Sequence, residues 1–202
     1  EGVNHELIMI SAYFVPGQPG LVYLTGRADA GVSVSLLTNS LEATDVPAVH
    51  GGYAPYRKAL LEHGVKLYEL RRQPGDPSGG SGPHLFRRGT FRGSDSSLHS
   101  KAMIFDREKS FIGSFNFDPR SVLWNTEVGV LVESPELAEH VRNLALQGMA
   151  PPLSYEAKLQ DGQVVWVTED NGQLHTLTRE PGSWWRRFNA WFATSVGLER
   201  LL

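Results

Sequence analysis

The chemistry of this chain is concentrated in the run Leu98-His99-Ser100-Lys101-Ala102-Met103-Ile104-Phe105-Asp106, followed closely by Gly113-Ser114-Phe115-Asn116. The run is rich in apolar residues, follows the turn-forming Gly93-Ser94-Asp95-Ser96, and reads as a strand. Strand side chains alternate between faces. His99 and Lys101 therefore share one face, and Ser100, Ala102 and Ile104 point the other way into a core. An imidazole beside a fixed ammonium suits phosphate chemistry. The lysine attracts and neutralises phosphoryl oxygens, while the imidazole attacks phosphorus or carries a proton.

Other residues extend this pair. Asp106 has the opposite parity and sits where Asp106-Arg107-Glu108-Lys109 should turn, which gives it a supporting role rather than a place beside His99. A second strand is expected from 110 to 113. Beyond it the small residues Gly113 and Ser114 let backbone approach a ligand closely, and Ser114 and Asn116 carry donors for an oxyanion. Glu127 opens a further strand over 127–133, where its carboxylate is placed to accept from the second ring nitrogen of His99 and fix the tautomer.

The pattern H-x-K-x4-D, then G-S-x-x-N, then N-x-E resembles the phospholipase D superfamily. The flanks Ser11-Ala12-Tyr13-Phe14-Val15-Pro16-Gly17 and Phe117-Asp118-Pro119-Arg120-Ser121 are similar, more specifically, to bacterial cardiolipin synthases. The resemblance implies that His99, Lys101, Asp106, Asn116 and Glu127 form the catalytic set, and that phosphatidyl transfer runs through a covalent phosphohistidine with no metal and no cofactor. One histidine attacks phosphorus. A second, from another copy of the motif, protonates the leaving alkoxide and then deprotonates the incoming alcohol.

Only one H-x-K is present: His5, His50, His63, His84, His140 and His175 have no lysine two places on. The chain thus carries half an active site. The other half is expected from an absent N-terminal portion or from a second identical chain, and Glu1 in place of an initiator methionine suggests a piece of a longer polypeptide. The flanks and tail are similar to the C-terminal copy of two-copy relatives, which makes His99 the general acid/base; in a homodimer either role is open.

The elements that must position these residues alternate between strand and helix. Residues 5–15 form a near-continuous apolar run that ends at Pro16-Gly17, consistent with a buried central strand. Such a strand delivers Tyr13 and Phe14 to a crevice at its end, Tyr13 as a substrate contact and Phe14 as core filling. Leu21, Leu24 and Ala28 recur at helical spacing up to Gly31. Val32, Val34 and Leu36 then alternate with serines in a second strand running into Thr38-Asn39-Ser40. A helix over 53–63 and a third strand over 65–70 complete an α/β layered α-β-α domain with a mixed sheet. His50 is a candidate headgroup contact, although its place after a strand end also fits a loop or a helix cap.

Residues 73–83 are rich in Gly, Pro and Ser and read as an exposed loop, and Arg87, Arg88 and Arg92 behind it are placed either to steer an anionic headgroup or to solvate a turn. A helix from Pro135 to about Gln147 presents Leu137, Val141, Leu144 and Ala145. Residues 148–152 form the best boundary, dividing a catalytic half-domain (1–150) from an appendage (151–202). Asp161-Gly162 and Asn171-Gly172 are hairpin dipeptides separating three short strands, a small antiparallel meander. From Ser183 an amphipathic helix places Trp184, Trp185, Phe188, Trp191, Phe192 and Val196 on one face, which suits either the boundary of an anionic membrane or docking on protein.

With 202 residues the chain has ample length for a core; its net charge of −3 argues against a general polyanion binder, and the absence of cysteine excludes a thiol nucleophile, a disulfide scaffold and Cys-ligated zinc. No apolar run approaches the roughly 20 residues of a spanning helix. The expected partner is an anionic, phosphatidylglycerol-like phospholipid, met peripherally at the cytoplasmic face of a bacterial inner membrane. The competing readings are a dimeric phosphodiesterase acting on nucleic acid, which the charge and the Trp-rich tail disfavour, and a catalytically silent half-domain.

Overall fold

The structure is a computed structural model that describes residues 2–72 and 98–195, with side chains through residue 192. The expectations for the loop over 73–83, for Arg87, Arg88 and Arg92, and for Val196 lie outside the described residues.

The described strands form one mixed sheet in the order β6-β5-β4-β1-β2-β3-β7-β8-β9. At its centre lie β1 (Glu6–Ile10), β2 (Ser33–Asn39) and β3 (Lys66–Leu70), which run parallel. On one side β4 (Ala102–Phe105), β5 (Lys109–Gly113) and β6 (Gly129–Glu133) add antiparallel, and on the other β7 (Ser154–Gln160), β8 (Gln163–Asp170) and β9 (Gln173–Leu177) do the same. The meander therefore extends the central sheet, with β7 paired directly to β3. Both of its turns have two successive left-handed residues, Asp161-Gly162 and Asn171-Gly172, the conformation of the two-residue hairpins their sequences call for.

Helices cover both faces. On one, α1 (Gly17–Asp29) and α3 (Arg57–Glu62) bury Leu24 and Leu60 against Leu7, Met9, Val34, Leu36 and Leu67. On the other, α5 (Pro135–Gly148) buries Ala138, Val141 and Ala145 against Ile8, Ile10, Leu37 and Ile104. Helix α5 starts where its sequence says it should: Ser134 Oγ accepts from the Leu137 amide at 3.2 Å, and Pro135 follows at the first helical position. Strand β1 is apolar on both faces because both are covered.

Three elements differ from their sequence expectations. The first strand ends at Ile10 rather than Val15, and the chain then bends so that Phe14 pairs with Phe117 instead of continuing the ladder. The single helix expected over 53–63 is a relay of α2 (Pro47–Tyr53), a 3₁₀ turn (Ala54–Tyr56) and α3. Pro55 explains the break, since it lacks the amide that a continuous helix needs and crowds the preceding turn. The strands expected at 98 and 127 begin later, at Ala102 and Gly129. The last helix, α6 (Trp184–Ser195), lies against α2 so closely that a Cβ on Gly51 would come within 2.3 Å of the Ala190 carbonyl oxygen.

A candidate active site at a split in the sheet

Strands β1 and β4 pair as far as Ile10 and Ala102 and then part. Past that point Ser11 stays with β2, its amide donating to Leu37 O at 3.0 Å, while Lys101 stays with β5, its carbonyl accepting from the Gly113 amide at 3.2 Å. The candidate residues lie around the opening. Leu98 is buried with Ala102 and Ile104 in the core under α5, so the alternation expected of a strand runs back through the segment before β4. His99 and Lys101 take the opposite parity. His99 is exposed. Lys101 is 8% exposed, and its Nζ donates to the His99 carbonyl at 2.8 Å. Burial pushes the Lys101 ammonium below its ordinary pKa, and the carboxylates of Glu127, Asp45 and Asp118 oppose that shift.

Glu127 lies close enough to Lys101 to act on it but does not orient His99. Its carboxylate accepts from Ser114 Oγ, from Ser121 Oγ at 3.1 Å and from Asn125 Nδ2 at 3.3 Å. The hydrogen bond from Ser114 is the main reason its pKa lies below the usual value. The expected Glu127–His99 contact is thus replaced by a hydroxyl and amide cradle, and among the described residues nothing hydrogen-bonds the His99 ring. The same cradle occupies Ser114, whose Oγ donates to Glu127 and accepts from the Val128 amide at 3.0 Å instead of facing a ligand as a free donor. Asn116 lies at the split with a buried side-chain oxygen that has no hydrogen-bond partner among the described residues, an unsatisfied polar atom of the kind that marks a site.

Asp106 is not brought to this site. It sits at the far end of β4 in a left-handed turn with Arg107, and its carboxylate accepts from the amides of Asn4, His5 and Glu6 at 2.9, 2.7 and 2.9 Å. Five residues along a strand separate it from Lys101, roughly 16 Å at the usual rise. Burial works against its charge, but these amides hold its pKa below the ordinary value. Its work is to tie the start of the chain to the β4–β5 turn.

Tyr13 and His50 line one small cavity together with Asn39, Thr44 and Tyr53. The Tyr13 hydroxyl donates to Asp45 Oδ1 at 2.7 Å, and burial, reinforced by Asp45, raises its pKa. Phe14 is core, as expected, stacked on Phe117 with ring centroids 5.3 Å apart. His50 is neither loop nor cap: it is buried inside α2, with Nε2 2.6 Å from Glu180 Oε1 and beside the Arg57 guanidinium. Arg57 also pairs with Glu180 and, through Nε at 2.7 Å, with the fully buried Glu69, whose other oxygen accepts from Trp166 Nε1 at 3.0 Å. His50, Glu69 and Glu180 offer three ligand atoms within 4.8 Å of one another. The guanidinium bonded to both carboxylates already supplies the cation, so the set does not fit a metal.

Two residues at the site carried no functional expectation. Asp118, buried, caps α4 (Pro119–Leu123) by accepting from the Ser121 amide at 2.8 Å; burial raises its pKa. Ser11 Oγ accepts from the Phe117 amide at 3.0 Å and donates to Tyr13 O at 2.5 Å, tying the end of β1 to the Asn116 segment. The Asp-Pro-x-Ser pattern is a readable helix start; the role of Ser11 depends on a contact 106 residues away.

Known proteins place this arrangement. Residues 3–147 match the family described as "Cardiolipin synthase, PLD-like domain". The chain is 40% identical over 201 residues to cardiolipin synthase C of Escherichia coli K12, covering 98% of this chain and 41% of that protein. It is 34% identical over 177 residues to an uncharacterised protein of Helicobacter pylori J99, covering 86% of this chain and 32% of the relative. It therefore spans about a third to two-fifths of the length of these relatives. Among solved structures, a phospholipase D family member, Nuc of Salmonella typhimurium, shares the fold with a TM-score of 0.55 over 78% of this chain and 85% of that one, at 16% identity. The chain belongs to the cardiolipin synthase family of phospholipase-D-like domains.

Proposed function

We propose that this chain is one half of a phosphatidyltransferase that makes cardiolipin-type lipids through a phosphohistidine. The observation that carries the reading is the exposed His99 backed by the buried Lys101 ammonium at a split in the sheet, in a chain of this family. Lys101 and the Asn116 amide supply fixed donors for phosphoryl oxygens, while Glu127, cradled by Ser114, Ser121 and Asn125, opposes the lowering that burial imposes on the Lys101 pKa. In the first step one histidine nitrogen attacks phosphorus and the bond to the headgroup alcohol breaks, its oxygen taking a proton from the histidine of the complementary half. In the second, the hydroxyl of a second phosphatidylglycerol attacks the phosphohistidine, gives its proton to that same histidine and releases the first. Two phosphatidylglycerols yield one cardiolipin and one glycerol.

The complementary half comes from a second motif-bearing domain, either elsewhere in the same polypeptide or in a second copy. Residues 1–150 hold the half-site, and residues 151–202 extend the sheet and present α6. That helix meets a lipid surface peripherally: Trp184, Trp185, Phe188, Trp191 and Phe192 are all exposed, and no helix among the described residues is long and apolar enough to cross a membrane. A bacterial inner membrane, on its cytoplasmic face, is the surface that fits a phosphatidylglycerol substrate.

The test is phosphatidyl transfer by the completed assembly on phosphatidylglycerol vesicles, with release of glycerol, in the parent and in His99→Ala. Conversion by the parent and its loss in the variant are the expected result. Intact transfer by His99→Ala would refute the catalytic assignment, and cleavage of DNA without lipid transfer would favour a nuclease.

A further inference from the structure

Where β1 and β4 part, backbone groups on both sides of the opening lose their ladder partners, and buried backbone groups must find others. One side chain takes up much of that task. Asn39, the last residue of β2, is buried at 2% exposure. Its Nδ2 donates to Ala12 O at 3.1 Å on the β1 side and to Leu98 O at 3.0 Å on the β4 side. Its Oδ1 accepts from the Leu98 amide at 2.8 Å. The carboxamide thus imitates the two-bond exchange of a β-bridge with Leu98 while holding the opposite strand with its second hydrogen.

We infer that Asn39 is a positioning residue for the phosphoryl site, fixing the backbone immediately before His99 and setting the width of the split in which His99 and Lys101 sit. The inference rests on the reading of His99 given above. The orientation of the amide follows from its neighbours: turned over, it would set an oxygen against two carbonyl oxygens and an NH2 group against the Leu98 N–H. No other residue type has this set of groups at this length. Aspartate keeps the acceptor and loses both donors, leaving a carboxylate facing two carbonyl oxygens. Serine is too short to reach both sides. A side chain that only filled the core would not need to span from Ala12 to Leu98. This one joins both lips of the crevice, and the imidazole hangs from the next residue along.

Two measurements on Asn39→Asp and Asn39→Ser test it. The first is hydrogen exchange at the Leu98 amide, expected to rise about tenfold or more while β1 and β2 amides keep their protection. The second is the split between kcat and KM in the assembly that completes the half-site, read against a Leu60→Ala control that loosens α3 in the core on the opposite face of the sheet from Leu98. A kcat lower by roughly 10- to 100-fold with KM within about threefold is expected for Asn39→Ser, since misplacing a reacting group by about an ångström costs that much. Unchanged Leu98 exchange in both variants, or a loss of kcat no greater than in the control, would overturn the assignment. If the parent transfers no phosphatidyl group, the function proposed above fails while the exchange arm still decides whether Asn39 splints the opening.

Discussion

Two histidines on this chain have opposite surroundings. His50 is buried against Glu180 and Arg57, and Arg57 is in turn bonded to Glu69, so that charge is matched by charge inside the protein. His99 is exposed, the ammonium beside it is only partly neutralised by carboxylates, and a neighbouring amide oxygen is unpaired. In the first region the charged groups already pair with one another. The second is incomplete, and a phosphodiester with a second half-site would complete it. A histidine signals chemistry when its surroundings leave it something to do.

The sharpest way to break this contrast is to remove each centre in turn. His99→Ala should lower phosphatidyl transfer in the completed assembly by about 10³-fold or more, roughly 4 kcal/mol of barrier, while its melting temperature stays within about 1 °C of the parent because an exposed side chain is lost. Arg57→Met should do the reverse to stability. It strands the fully buried carboxylate of Glu69 and takes the cation from the partly buried Glu180, which together cost about 3–5 kcal/mol in a denaturant titration. A variant as stable as the parent would show that the cluster is not the lock described here.

Acid should separate the regions next. Burial raises the Glu180 pKa, but the charge of Arg57 and the bonds from His50 and Arg57 outweigh it and bring the carboxyl down to about 2. A carboxylate whose pKa is lower in the folded state stabilises the fold above its unfolded pKa of about 4.5 and loses that contribution as pH falls toward the folded value. Stability measured by urea titration should therefore decline between about pH 4.5 and pH 2, by on the order of 3 kcal/mol. Glu180→Gln should flatten that decline. An equally steep fall in the variant would assign it to other groups.

The layered fold was legible because its determinants are local. Alternation in Val32-Ser33-Val34-Ser35-Leu36 gave β2, the Asp-Gly and Asn-Gly pairs gave the hairpins, and Ser134-Pro135 gave the start of α5. The resemblance to cardiolipin synthases held, and the family supports it. The site was legible as a set of residue types but not as a set of partners. Glu127 was expected to serve His99 and instead holds Ser114, Ser121 and Asn125. Asp106 belongs to the motif in sequence but lies at the other end of its strand. The roles of Asn39 and Ser11 were not legible, because their work is done on backbone 59 and 106 residues away. The loop or cap expected of His50 gave way to a buried place in α2 for the same reason: its partner Glu180 lies 130 residues on.

The closed cluster has a consequence at the surface, which gives the smallest and most specific effect. Glu180 anchors the segment leading into α6, and Arg187 Nη1 donates to the Glu180 and Gly182 carbonyls at 3.3 and 2.6 Å. Arg186 Nη1 donates to Leu41 O and Thr44 O at 3.2 and 2.5 Å. Both arginines at the start of α6 are thus spent on the protein, and Ala190 fills the contact with Gly51. The docking and membrane readings of this helix are therefore compatible: it docks on α2 through one face and leaves its aromatic face outward. The proposed contact with a membrane would then rest on the rings more than on charge. Replacing Trp184 and Trp191 together by serine should weaken retention on phosphatidylglycerol vesicles by roughly 10- to 30-fold, as two indoles half-immersed in lipid would contribute about 1 kcal/mol each. Melting should not change, because both rings are exposed at 68% and 62%. Retention in the variant should also depend on salt no more steeply than in the parent, since the arginines are already occupied. Binding that vanishes with added salt while the tryptophans are intact would show that charge, supplied from elsewhere on the chain, is what holds the domain at the bilayer.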